Sequence, residues 1–287
     1  MSFFLRRGQR LCLLTVALLL FAMQVCFAES PPPASVENML AESAILINAR
    51  TGESLYERNA DEFSYPASTT KMMTCILALE SGRLDEMVTI VPSDADVEST
   101  RMVPGEQATL RSLTAQMMMI SDNGAALAIG RTLGGSTAGF AKMMNAKVKE
   151  LGLRHTHFMN PNGMPNDYHY STARDLSAIA AYGMKNPAFR EIVGSKRRTI
   201  YYHAPAGHTE ECGNSNELLY RYPGCTGVKT GWTNAAAGCL VASAKRGNTE
   251  LIAVVLHSRT DDTRFSDAAA LLDYGFSYFK NGSRDEG

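Results

Sequence analysis

Neither sign of charge dominates this sequence of 287 residues: 28 Lys and Arg stand against 29 Asp and Glu, for a formal net charge of -1. The two signs are interleaved, so there is no electrostatic footprint for a nucleic acid and no polybasic patch for a membrane surface. Cysteine is sparse, and none of the six forms a CxxC pair, which argues against zinc-ribbon and thioredoxin-like chemistry. A GxSxG elbow is missing, so the α/β-hydrolase triad has no nucleophile site. A glycine-rich phosphate loop is missing too. His155 and His157 do not share a helix face and have no carboxylate-rich motif beside them, which leaves no metal site to argue for. No cofactor is implied. Internal repeats and low-complexity tracts are also absent.

Only one long apolar run exists. Arg6, Arg7 and Arg10 precede Leu11 to Val25, then Cys26-Phe27-Ala28, and the chain turns polar at Glu29. A basic start, an apolar middle and a small residue before the cut describe a secretory signal over residues 1–28. The expected location is therefore outside the cytoplasm, in the periplasm or the extracytoplasmic cell-wall space. Left uncleaved, the run would give weak membrane association; it is near the lower limit for a span, and Thr15 and Gln24 weaken it. Gln24 and Val25 are too bulky for a lipoprotein signal around Cys26. Export permits disulfides. Of Cys75, Cys212, Cys225 and Cys239, the pair best placed to bond is Cys212 with Cys225, worth about 3 kcal/mol on the chain-entropy account. The alternative is four buried free thiols.

Residues 29–37, with Pro31-Pro32-Pro33, read as an extended linker. Ala44 to Ala49, a turn at Arg50-Thr51-Gly52 and Ser54 to Arg58 read as a β-hairpin. Pro66-Ala67 breaks the chain before a helix over Ser68 to Ser81, with Met72, Cys75, Ile76 and Leu79 on one stripe. Helical patterns fill the middle: Leu110 to Ile120, Asn123 to Leu133, Thr137 to Leu151 and Thr172 to Tyr182. Strands return at Thr199 to His203, Cys225 to Thr230, Gly238 to Lys245 and Leu251 to His257, and a last helix runs from Thr263 to Phe279. Strands at both ends with helices between predict an α+β fold: an antiparallel sheet flanked by helices, with a helical subdomain at about 83–198 inserted into a domain at 38–280. Residues 281–287 form a polar tail.

Three motifs carry the chemistry. In Ser68-Thr69-Thr70-Lys71 the serine and lysine lie on one helix face. The helix N-terminus favours a developing anion there, and a neutral amine beside a hydroxyl can act as its base. Ser121-Asp122-Asn123 falls in a turn between helices, where these residues also serve as plain caps. Ser121 can relay a proton, and Asn123 can hydrogen-bond a substrate amide. Lys229-Thr230-Gly231 ends a strand. The glycine would let another backbone approach, and the lysine and threonine would hold a carboxylate. Each motif alone is better read as ordinary structure. Together they occur in the order SxxK, SDN, KTG, about 50 and then about 110 residues apart, the signature set of penicillin-binding proteins and class A β-lactamases.

The chain resembles the low-molecular-mass penicillin-binding proteins that are serine-type D-alanyl-D-alanine carboxypeptidases. Met119 to Ala126, Phe158 to Gly163, Tyr170 to Asp175, Asn216 to Leu219, Gly227 to Gly231 and Leu272 to Phe279 carry the likeness, over roughly residues 36–279. The resemblance implies a β-lactamase/DD-peptidase-like fold with a five-stranded antiparallel sheet. It also implies a substrate, the peptidoglycan stem peptide ending in D-Ala-D-Ala, and β-lactam antibiotics as covalent inhibitors. Ser68 would attack the carbonyl between the two D-alanines, Lys71 would take its proton, and Ser121 would pass one to the leaving amine. The oxyanion would rest on the backbone N–H groups of Ser68 and Trp232. Arg264 falls where the family places an arginine near the substrate's carboxylate.

Two departures matter. Asp122, where the carboxypeptidases often have glycine, is more typical of class A β-lactamases, and Gly124 replaces an acid often seen there. Yet no glutamate lies between Leu151 and Arg190 to activate water for deacylation, as class A enzymes require; Asp167 and Asp175 are the only acids in that stretch. A β-lactamase is thus the runner-up. A non-catalytic peptidoglycan-binding regulator is the other alternative, and it has no need of a nucleophile and base. The chain also stops about eight residues after Phe279, so the β-rich domain and anchoring helix that many members add C-terminally are not expected.

Overall fold

The computed structural model describes residues 33–260 and 262–282, with side chains through 280. The expected leader, its cleavage point, the first part of the linker and the end of the tail lie outside the described residues.

In chain order, α1 (Ala34–Glu37) leads into a hairpin of β1 (Ala41–Asn48) and β2 (Ser54–Arg58). A 3₁₀ turn at Ala67–Thr70 runs directly into α2 (Lys71–Glu80). A long insertion then carries β3 (Met87–Thr89), α3 (Pro92–Ala95), β4 (Gln107–Thr109), α4 (Leu110–Ile120), α5 (Asn123–Gly134), α6 (Thr137–Glu150), α7 (Ala173–Gly183), α8 (Pro187–Gly194), β5 (Arg197–Ala204) and β6 (His208–Gly213). The chain closes with α9 (Leu218–Arg221), β7 (Cys225–Thr233), β8 (Ala237–Arg246), β9 (Thr249–Ser258) and α10 (Thr263–Gly282).

The main sheet has five antiparallel strands in the order β2-β1-β9-β8-β7. It joins the two ends of the sequence, as expected of this α+β chain, and leaves β7 at one edge. Helices cover both faces. Ile45, Ile47, Ile252, Val254 and Leu256 point into a core shared with α2 and the inserted helices. Ala44, Leu46, Leu251, Ala253 and Val255 point the other way, onto Val36 of α1 and Phe265, Leu271, Leu272 and Phe276 of α10. Burial on both faces explains why β1 alternates only weakly in the sequence. Each such side chain, fully buried, contributes roughly 1.5–3 kcal/mol.

Several elements differ from the sequence reading. The end of the expected linker is the helix α1, held by Arg58, whose guanidinium donates to the carbonyls of Val36 (3.0 Å), Glu37 (2.7 Å) and Met39 (2.9 Å). The strand at Thr199 to His203 belongs to a second sheet, ordered β3-β4-β5-β6, so the insertion is not purely helical and continues past residue 198 to Gly213. Helix α2 is buried from Lys71 through Ala78 rather than along one stripe, because it runs through the middle of the core. Among the described residues, Cys75, Cys212, Cys225 and Cys239 are all free. Cys212 is on β6 of the small sheet and Cys225 begins β7 of the large one, so the proposed pair starts from strands of different sheets. No helix among the described residues is long and apolar enough to cross a membrane.

Candidate active site

The end of edge strand β7, the turn before α2 and the junction of α4 with α5 converge on a cavity of about 520 Å³. Ser68, Ser121, Asn123, Thr230, Gly231, Trp232 and Arg264 line it. Lys71 and Lys229 lie beneath this lining, at 0% and 1% exposure. The nine residues singled out in the sequence are thus gathered at one place, seven on the wall and two below it.

Ser68 sits in the 3₁₀ turn rather than on the α-helix proper. Ala67 before it has φ +47°, and Ser121 has φ +62°. Two non-glycine residues in the left-handed region flank the cavity, a strain that folds tolerate mainly at functional sites. Ser121 is the C-cap of α4, and Asp122 caps α5 by accepting from the Ala125 amide at 2.9 Å. Asp122 also accepts from Thr100 Oγ1 (2.8 Å), the Arg101 amide (3.1 Å) and Gln116 Nε2 (2.9 Å). Its carboxylate therefore ties the 98–101 loop to the α4–α5 junction. A Cβ on Gly124 would overlap the Asp94 carbonyl and the Thr100 hydroxyl. Both departures at this motif thus have a packing reason in this chain.

The Lys71 ammonium has three acceptors, all at 2.7 Å: Ser68 Oγ, Asn123 Oδ1 and the Asn162 carbonyl. None of its bonds goes to Ser121. Burial first, then repulsion from Lys229, hold its pKa well below the ordinary lysine range, while Asp122 pulls the other way. Asn123 is engaged at both ends, since its Nδ2 donates to the Glu98 carbonyl at 3.0 Å; only part of that amide remains for a ligand.

Lys229 donates to the Thr230 carbonyl at 3.0 Å. Burial first, and Arg264 second, lower its pKa to about 7. At 1% exposure it is not itself among the residues that line the cavity. On the cavity wall beside it are the Thr230 hydroxyl, which pairs with Ser215 Oγ at 2.7 Å, and Arg264, which donates to the Gly231 carbonyl at 2.7 Å from the first turn of α10. Among the described residues, the only carboxylate residue on the wall is Glu98. Asp175 is committed to the His155 amide and the Thr156 hydroxyl, and Asp167 lines a different cavity. Neither lines this cavity.

The Asn162 carbonyl, Gly163, Met164 and Ser215 are parts of the site that the motifs did not point to. A backbone carbonyl leaves no mark in sequence. His155 and His157 are not among the residues lining this cavity. Among the described residues, no group of three or more His, Cys, Asp or Glu side chains could hold a metal ion.

A family model described as D-alanyl-D-alanine carboxypeptidase matches residues 27–260. The chain is 36% identical to D-alanyl-D-alanine carboxypeptidase DacF of Bacillus subtilis, over 84% of this chain but only 63% of that one. It is 35% identical to the D-alanyl-D-alanine carboxypeptidase of Streptomyces sp. strain K15, over 80% of this chain and 85% of that one. The crystal structure of the Streptomyces K15 DD-transpeptidase superposes with a TM-score of 0.81 at 34% identity, covering 86% of this chain and all of that one.

Proposed function

The chain belongs to the D-alanyl-D-alanine carboxypeptidase family, and from that premise we propose that it removes the terminal D-alanine of peptidoglycan stem peptides through an ester on Ser68. One observation carries this reading: the three acceptors at 2.7 Å around Lys71. A neutral amine has two N–H donors and one lone pair. With the donors spent on Asn123 and the Asn162 carbonyl, the lone pair is left for the Ser68 hydroxyl, and the depressed pKa favours that neutral form.

The substrate's strand adds along the open edge of β7, its terminal carboxylate meeting Thr230 and Arg264 with the charge of Lys229 beneath. Ser68 Oγ attacks the penultimate D-alanine carbonyl as Lys71 takes its proton, and the oxyanion rests on the N–H groups of Ser68 and Trp232. The tetrahedral carbon then expels the terminal D-alanine, whose nitrogen receives the proton from Lys71 by way of Ser121. Water attacks the resulting ester, returns the proton to Ser68 and releases the shortened peptide. A β-lactam, cyclic at the same bond, stops at the acyl stage. A substrate built into the wall and the N-terminal leader pattern both support an enzyme working outside the cytoplasm; an uncleaved leader would add weak membrane attachment.

Incubation with benzylpenicillin, followed by intact mass, tests this directly, with Ser68→Ala as control and a D-Ala-D-Ala peptide assayed in parallel. We expect a stable adduct on wild type only, and released D-alanine. No adduct on wild type would remove Ser68 from its role, and rapid drug turnover would make the protein a β-lactamase.

A further inference from the structure

Helix α2 supplies Lys71, but the loop 158–164 supplies the carbonyl that Lys71 donates to. The relation between these two segments sets whether the amine points at Ser68. Gly163 comes so close to the turn that a Cβ would overlap the Ala67 carbonyl, and Thr74 donates to the Pro161 carbonyl at 2.7 Å. A third link runs through a side chain outside the motifs. His169 is 1% exposed; its Nε2 lies 2.9 Å from Thr70 Oγ1, and its Nδ1 accepts from the Met159 amide at 3.1 Å.

Because Nδ1 accepts, Nε2 carries the hydrogen and donates to Thr70. One neutral imidazole therefore bridges the residue before Lys71 to the start of the loop that holds Lys71's ammonium.

We propose that His169 is a positioning residue for the Ser68–Lys71 pair, acting as a neutral strut that keeps the Asn162 carbonyl on the lysine. This rests on the reading of Lys71 as the base. The strut suits the working pH. Burial first, and the neighbouring His157 second, lower the pKa of His169 to about 4; the ring of Phe158 packs against it edge-on at 5.4 Å. Lys71, the ionisable group next to Thr70, is itself held well below the ordinary lysine range, chiefly by burial. Protonation would put a hydrogen on Nδ1, where the Met159 amide already donates, and break the bridge.

Three variants test the strut by the rate of Ser68 acylation with benzylpenicillin from pH 5 to 9, with melting temperature as a control. Glutamine can accept with Oε1 and donate with Nε2, so His169→Gln should stay within about threefold of wild type. His169→Leu, which can do neither, should slow acylation by about 10- to 100-fold, the usual effect of a misplacement of about 1 Å. It should also move the pH at which the rate rises, because Lys71 loses a hydrogen-bond acceptor. Thr70→Val, which removes only the partner hydroxyl, should reproduce part of the same shift. Equal rates and an unchanged pH profile in His169→Leu would overturn the proposal, and so would a glutamine variant as slow as the leucine one. Failure of wild type to acylate would instead overturn the reading of Ser68 and Lys71 on which it rests.

Discussion

Gly231 approaches Ser68 so closely that a Cβ on it would lie 3.0 Å from the Ser68 amide nitrogen, 3.1 Å from the Ala67 Cβ and 3.2 Å from the Pro66 carbonyl. The glycine suits a tight fit, since a side chain there would press on the nucleophile turn. It is also part of how the proposed oxyanion site is built, because the amides of Ser68 and Trp232 belong to these two segments. Gly231→Ala should fold, since the neighbours need yield by only a few tenths of an ångström. It should still separate the two segments, and acylation by benzylpenicillin should fall by about 10- to 100-fold. Stopped-flow acylation rates would measure it; a wild-type rate would mean the close approach has no part in catalysis.

Lys229 trades stability for charge. Its pKa in the folded protein, about 7, is below the 10.5 of a free lysine. Between those values the unfolded chain binds more protons than the folded one, so stability rises with pH across that window, by up to about 1.4 kcal/mol per unit. Below about pH 7 both states hold the proton, and the full cost of the buried cation is present. Lys229→Met should therefore raise the melting temperature at pH 7 by about 5 °C or more and flatten the climb between pH 7 and 10, while peptide hydrolysis slows. A melting temperature that drops, with the climb intact, would show that the buried cation is not what limits stability.

Two substitutions should move the pH dependence of acylation in opposite directions. Lys71 is held neutral partly by repulsion from Lys229, and Asp122 opposes this. If neutral Lys71 is the base, the rate rises as pH passes its pKa. Lys229→Met removes the repulsion and should shift that rise to higher pH; Asp122→Asn removes the opposing charge and should shift it lower. Acylation rates from pH 5 to 10 would show this, and a common shift in both variants would mean that the rise belongs to another group.

The parts of this fold that were legible are those with strong local patterns. The β1–β2 hairpin was readable from its turn, where Asn48 Oδ1 accepts from the amides of Arg50 and Thr51 and Gly52 takes φ +76°. The second sheet was not readable, because β3 and β4 are three residues each and β6, His-Thr-Glu-Glu-Cys-Gly, carries little apolar signal. Short strands owe their existence to partners distant in sequence. The same limit applies to Cys212 and Cys225: a spacing of thirteen residues does not say which sheet each strand joins.

At the site, side chains that fall in ordered motifs were visible, and their supports were not. The Asn162 carbonyl and the His169 bridge depend on a loop docking against α2, which no local pattern reports. The third motif implies that Lys229 holds a carboxylate. Period-two alternation places a side chain on one face or the other, but not how deep it is buried, and the structure puts this lysine at 1% exposure.

Gly124 offers a last check on whether departures at the second motif reflect chemistry or packing. The first turn of α5 lies under the 92–101 segment, and a Cβ there would overlap the Asp94 carbonyl and the Thr100 hydroxyl. Alanine is the better helix former by about 1 kcal/mol, so on propensity alone Gly124→Ala should stabilise. Overpacking against a backbone carbonyl costs typically about 1–3 kcal/mol, and Thr100 is itself a partner of Asp122, so relief on one side strains the other. We expect net destabilisation in urea unfolding and slower acylation, because Asn123, the next residue back, would be drawn from Lys71. Gly207→Ala, on the exposed β5–β6 turn with nothing nearer than 3.5 Å, should change neither and controls for the substitution itself. A stabilised Gly124→Ala with full activity would show that the segment yields freely, and the packing account of this glycine would fall.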